Sequence, residues 1–127
     1  MARVRAALRT RMSFEPVTDI YHAEHLTIDA ATRTVTLRDQ SLRLTMKEFE
    51  ILHILATVKG RVVKQRQLLE MVWGSVSAKN VQYLRVFIGR LREKIEDNRA
   101  KPTLLVTERG VGYRLIPGER LHYTSSH

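Results

Sequence analysis

The sequence predicts an α+β fold: an antiparallel sheet at the start, a three-helix bundle in the middle and a β-hairpin at the end. Three observations carry this. Apolar residues alternate with polar ones between His25 and Leu44, the repeat of half-buried strands. From Met46 to about Glu96 the repeat lengthens to that of helices, with breaks at Gly60 and Gly74. After Pro102 alternation returns, and Leu104–Thr107 and Val111, Tyr113, Leu115 flank Glu108-Arg109-Gly110, which reads as a hairpin with a charged tip.

Residues 2–11 are strong helix formers without glycine or proline, and nothing nearby offers them a surface to pack on. Residues 1–11 are therefore expected to be the end of a neighbouring domain. Residues 12–24 lose periodicity and contain Pro16, so they read as a linker. Three short strands follow, around Leu26 and Ile28, Val35 and Leu37, and Leu42 and Leu44, with breaks at Asp29–Arg33 and Arg38–Gln40. Thr45 and Glu48 form a capping box, each side chain satisfying a backbone N–H that the helix start leaves free. Phe49, Ile51, Leu52, Leu55, Ala56 and Val58 then cover a broad arc, so the first helix is central and Gly60 ends it. His53 inside it is a packing or surface residue. The second helix runs Gln65–Trp73, with Leu68, Leu69 and Val72 as its apolar face and Gly74 as its stop. Residues 74–79 form a polar loop, and Asn80 is the expected cap of the third helix. Residues 25–117 make one domain; 118–127 read as a disordered tail.

The third helix, Asn80 to about Glu96, is the most informative element. Leu84, Ile88, Leu91 and Ile95 fall on one stripe and are expected to be buried. The opposite face carries Gln82, Val86, Gly89 and Arg90. Tyr83, Phe87 and Lys94 flank it on one side, Arg85 and Arg92 on the other. A solvated face normally mixes both charge signs, but here Glu93 is the one acid.

Composition narrows the function classes. The chain has 127 residues and no cysteine, which excludes a disulfide scaffold, a thiolate zinc site and a cysteine nucleophile. No apolar run approaches the roughly 18 residues of a membrane span, so no membrane partner is expected. The formal charge is +9, and it is uneven: residues 12–63 sum to −1 and residues 64–114 to +6. A basic second half points to a polyanion. No glycine-rich phosphate loop or nucleophile–base constellation is present. His22, Glu24 and His25 sit together but in the expected linker. An enzyme, a metal and a cofactor are therefore not expected.

A helix–loop–helix whose second helix is basic outside, followed by a hairpin with an arginine at its tip, suggests a winged helix-turn-helix. The major groove of DNA, about 12 Å wide, admits one helix that shows side chains to base edges. Arg90 suits guanine, Val86 a thymine methyl and Gln82 adenine. Arg85, Arg92, Lys94 and Tyr83 sit where phosphates run, and Arg109 suits the neighbouring minor groove. Two other classes stay open: a basic protein-interaction module and an RNA-binding domain. RNA recognition generally stacks unpaired bases on exposed aromatics, and only Tyr83 and Phe87 are available on this helix.

The blocks Val72-Trp73-Gly74, Tyr83–Ile95 and Thr107–Arg114, with Leu44-Thr45 and Phe49–Leu52 upstream, resemble the effector domain of OmpR/PhoB-family two-component response regulators over about residues 25–116. The resemblance implies a four-stranded N-terminal sheet and cytoplasmic DNA binding in a bacterium. It implies a head-to-tail homodimer on tandem direct repeats of double-stranded DNA, one helical turn apart. It implies RNA polymerase contact through the loop 74–80, and it makes residues 2–10 similar to the last helix of a receiver domain. A sensor histidine kinase would then act only through that receiver. DNA contacts carried over from the family fall on Gln65, Tyr83, Arg85, Val86, Phe87, Arg90, Arg92, Thr107, Arg109 and Tyr113. Of these, with Gln82 and Lys94 from the helix reading, Gln82, Arg85, Val86 and Arg90 are the expected base readers. Gln65, Tyr83, Phe87, Arg92, Lys94, Thr107 and Tyr113 are the expected backbone contacts, and Arg109 the minor-groove contact. The Gln82–Arg85 stretch is most similar to the family's regulators of potassium uptake, which implies potassium-transport genes as targets. Three positions depart from a common family form. Lys64 stands where a serine often caps the second helix, Gln65 where an arginine often meets phosphate, and Gly89 where an arginine often reaches the backbone.

Overall fold

A computed structural model describes residues 20–118. The helix expected within residues 1–11, most of the linker and residues 119–127 lie outside the described residues.

Four short strands open the chain: β1 (Ile20–Ala23), β2 (Leu26–Asp29), β3 (Thr34–Leu37) and β4 (Gln40–Leu42). They pair antiparallel in sequence order. Ala23, Leu26, Ile28 and Val35 form the buried side of this sheet. β1 falls where a linker was expected. Tyr21 pairs with Ile28 and Ala23 with Leu26, but the strand has four residues and its one buried member is an alanine, too small to signal a strand by hydrophobicity. β4 also starts and ends earlier than expected. Arg38 and Asp39 both take positive φ, 50° and 68°, and Leu37 pairs directly with Gln40. This is the two-residue hairpin that matches strand twist, and it pulls Gln40 into the sheet. Leu44 is left outside the strand, packed against the core.

The capping box of α1 (Met46–Thr57) forms as expected: Glu48 N–H donates to Thr45 Oγ1 at 3.2 Å, and Thr45 N–H donates to Glu48 Oε1 at 2.9 Å. The helix buries Phe49, Ile51, Leu52, Leu55 and Ala56, one contiguous arc, and so packs on β1, α2 and α3 together. A two-residue strand, β5 (Val63–Lys64), leads into α2 (Gln65–Trp73). Gly74 closes α2 in the left-handed conformation, φ 83°, and its N–H donates to the Glu70 carbonyl at 2.9 Å.

α3 spans Ala78–Ile95, and its cap is Ser77 rather than Asn80. Ser77 Oγ accepts the Asn80 N–H at 3.1 Å, while the Asn80 amide donates back to Ser75 O and Oγ. Two capping residues lie three apart; the earlier one takes the helix start, and the later one braces the turn. The α2–α3 connection is thereby shortened to Gly74–Ser77. Leu84, Ile88, Leu91 and Ile95 are all buried, the stripe expected from their spacing.

The final hairpin pairs β6 (Leu105–Glu108) with β7 (Gly112–Leu115), and β5 joins the other edge of β7, giving the order β5-β7-β6. Gly112 makes this third strand possible: a Cβ there would collide with the Val63 carbonyl oxygen. Glu96, just past α3, accepts the backbone N–H groups of Thr103, Leu104 and Leu105. Those donors have no strand partner, so one carboxylate fixes where the hairpin leaves the bundle. Gly118, expected to open the tail, is buried, and its N–H donates to the His22 carbonyl at 3.2 Å, beside β1.

Candidate nucleic-acid interface

With its apolar stripe turned into the core, α3 must present the opposite face outward. Gln82, Arg85, Val86, Gly89 and Arg90 are all exposed there. Val86 is 41% exposed, an apolar side chain within reach of a partner in the row formed with Gln82, Arg85 and Arg90. The Arg90 guanidinium lies 5.6 Å from the centre of the Phe87 ring, close enough for a cation–π contact that restrains its direction.

The hairpin stands beside this face. Gln65, Arg85, Thr107, Arg109, Val111 and Tyr113 line one groove between α2, α3 and the hairpin. Arg109 is exposed at the turn, where Gly110 takes φ 77° and the Val111 N–H donates to the Glu108 carbonyl at 2.9 Å. The Gln65 N–H donates to the Val111 carbonyl at 3.2 Å, so the start of α2 and the hairpin hold each other.

Arg92 ties α3 to the hairpin. Its Nε donates to the Leu105 carbonyl at 2.9 Å and its Nη2 to Thr107 Oγ1 at 2.7 Å. Burial lowers its pKa from the ordinary value, and the charges of Tyr113 and Glu96 pull it back up. An arginine stays cationic in a protein, so Arg92 brings positive charge beside Thr107 while two of its nitrogens are spent on the fold.

Three expected backbone contacts sit differently from the sequence reading. Lys94 was expected beside the outer face, but its ammonium turns inward, donating to the Arg43 carbonyl at 2.9 Å and to Glu48 Oε1 at 2.7 Å. Glu48 is 1% exposed; a buried carboxylate needs a cation, and Lys94 supplies it. Phe87 is half-buried and packs against Trp73, ring centres 5.9 Å apart. Tyr113 is 8% exposed and belongs to the core, with one edge on the groove. Tyr83 stays 43% exposed while stacking on Trp73 at 6.5 Å. Thr107 is exposed, as expected, and also receives Arg92.

Sequence reasoning missed two contributors. Lys47 sits 5.6 Å over the Trp73 ring and donates to the Val72 carbonyl at 2.8 Å, covering the Trp73 ring that also meets Tyr83 and Phe87 of α3. Arg99, in the loop after α3, pairs with Glu93. Neither has a periodic relation to its partner, so no pattern flags it. Among the described residues, no group of His, Cys, Asp or Glu is placed to hold a metal, and no helix is long and apolar enough to cross a membrane.

A three-helix bundle with an exposed basic third helix, flanked by a hairpin whose arginine-tipped turn lies on the same side, defines the winged helix-turn-helix class of DNA-binding domains. Residues 39–115 match the family described as transcriptional regulatory protein, C terminal, and the chain belongs to it, as a non-enzymatic DNA-binding effector domain of the OmpR/PhoB type. The KDP operon transcriptional regulatory protein KdpE of Escherichia coli is 36% identical over 115 residues, covering 91% of this chain and 51% of that protein. The transcriptional regulatory protein KdpE of Mycobacterium tuberculosis is also 36% identical, over 90% of this chain and 51% of its own. The chain thus spans about half the length of these relatives. Among solved structures, the Thermotoga maritima OmpR/PhoB homologue DrrB superposes with a TM-score of 0.71 at 37% identity, covering 77% of this chain and 44% of its own. The DNA-binding domain of RstA from Klebsiella pneumoniae, solved in complex with the RstA box, gives 0.70 at 32% identity, covering 77% of this chain and 97% of that one.

Proposed function

We propose that this chain binds double-stranded DNA sequence-specifically, as the effector half of a two-component response regulator in the bacterial cytoplasm. The observation that carries the reading is the outer face of α3, which holds Gln82, Arg85, Val86 and Arg90 exposed together. In this reading α3 enters the major groove and these four side chains meet base edges, with Arg90 on guanine. Gln65, Tyr83, Arg92 and Thr107 lie along phosphates, and Arg109 reaches the adjacent minor groove. Phe87 and Tyr113 support those contacts from the packing beneath them.

Two copies bind head to tail on direct repeats one helical turn apart. The turn Gly74–Ser77 and the first residues of α3, with Val76 exposed, form the surface offered to RNA polymerase. A sensor histidine kinase acts through a receiver domain rather than through these residues. The KDP operon regulators at 36% identity and the Gln82–Arg85 stretch support potassium-transport genes as the targets.

The test is competition between a duplex DNA pool and single-stranded RNA of equal length at physiological salt. The expected result is that duplex displaces RNA. RNA winning, or neither binding, would contradict the reading and favour an RNA-binding domain or a protein-interaction module.

A further inference from the structure

The outer face of α3 ends in a feature that its own side chains leave incomplete. Gly89 has no side chain, and a Cβ built there meets nothing within 4 Å. Gly89 lies in one shallow, open concavity whose lining also includes Arg85, Val86, Arg90, Glu93 and, from outside the helix, Arg99. Glu93 alone would place a negative charge at the end of a face otherwise set with cations. Arg99 pairs with it through Nη1. Both partners are more than half exposed, 66% and 54%, so the pair contributes little to stability and the Arg99 guanidinium stays reachable from outside. A guanidinium carries five N–H donors in a planar fork that suits phosphate, and the bond to Glu93 engages one terminal nitrogen.

We propose that Arg99, in the loop after α3, is a phosphate-binding residue of the DNA interface: it neutralises Glu93 and takes a duplex phosphodiester in the open concavity at Gly89. The site continues the row begun by Arg85 and Arg90, and it is built by a loop rather than by the helix. Its ligand is the sugar–phosphate backbone, so Arg99 adds affinity without sequence preference. The inference rests on the duplex-binding reading above.

The experiment measures the salt dependence of binding by the 127-residue chain on two duplexes, one selected from a random pool and one unselected of the same length. Glu93→Gln is compared with Glu93→Gln/Arg99→Ala, so that Arg99 is removed where no carboxylate is left exposed by its loss. The expected result is that losing Arg99 lowers the slope of log K against log salt by about 1 on both duplexes, with an unchanged melting temperature. An unchanged slope between the two would overturn the proposal and leave Arg99 as a screen for Glu93 only. A loss confined to the selected duplex would also overturn it, making Arg99 a base contact. If the unsubstituted chain binds neither duplex, the duplex-binding reading fails first, and the two failures are thereby told apart.

Discussion

Arg90 and Lys94 lie four residues apart on one helix, and their surroundings give them opposite roles. Arg90 is exposed beside Val86 and leans on the Phe87 ring, so its free donors face outward. Arg90→Ala is expected to cost about 1–3 kcal/mol on the preferred duplex and to relax one base position. Equal weakening on random duplex, read by fluorescence anisotropy, would make it a phosphate contact instead. Lys94 faces inward on Glu48. Lys94→Ala is expected to cost about 2–4 kcal/mol of stability, since it strands a buried carboxylate, with some relief because the lysine side chain is partly solvated. Denaturant unfolding checks this, and the salt slope of DNA binding should not move. A lowered slope with unchanged stability would return Lys94 to the DNA face. Charge and helix position together placed both residues on the interface from sequence. What sequence lacked was the partner: Glu48 lies 46 positions away, and its burial is a property of the packed bundle.

At the scale of elements, the helices were legible and the sheet edges were not. The stripe Leu84, Ile88, Leu91, Ile95 and the limits of α2 follow from periodicity and from Gly74 alone. The strand β1 buries only an alanine, so no hydrophobic alternation marks it, and β5 has two residues, over which a repeat of two cannot declare itself. The start of α3 was misjudged because two capping residues compete there. Their roles are now separable. Ser77→Ala is expected to destabilise by about 0.5–2 kcal/mol through loss of the cap, whereas Asn80→Ala should loosen the Gly74–Ser77 turn while costing less. Thermal melts of both variants check the order, and a larger loss for Asn80→Ala would restore it as the cap. The candidate site divides the same way. The exposed row Gln82, Arg85, Val86 and Arg90 was readable from one helix, while the ties from Arg92 to Leu105 and Thr107 join elements that only the fold brings together.

Across the whole molecule, the charge asymmetry acquires a geometry. The near-neutral N-terminal sheet packs behind α1, and the basic second half supplies α3, the hairpin and the loop after α3. A concentration of positive charge on these elements would steer a polyanion toward them, while the ties of Arg92 and Glu96 hold the hairpin in place. In the proposed reading the architecture also separates affinity from specificity: phosphate contacts at the edges would set how strongly DNA is held, and the row on α3 would set which DNA. The most direct measurement of this account is selection from a random duplex pool by the 127-residue chain at physiological salt, followed by sequencing. The account expects enrichment of a direct repeat whose half-sites lie about 10–10.5 base pairs apart, centre to centre. An unenriched pool would contradict it, because the exposed row on α3 would then be reading no sequence at all.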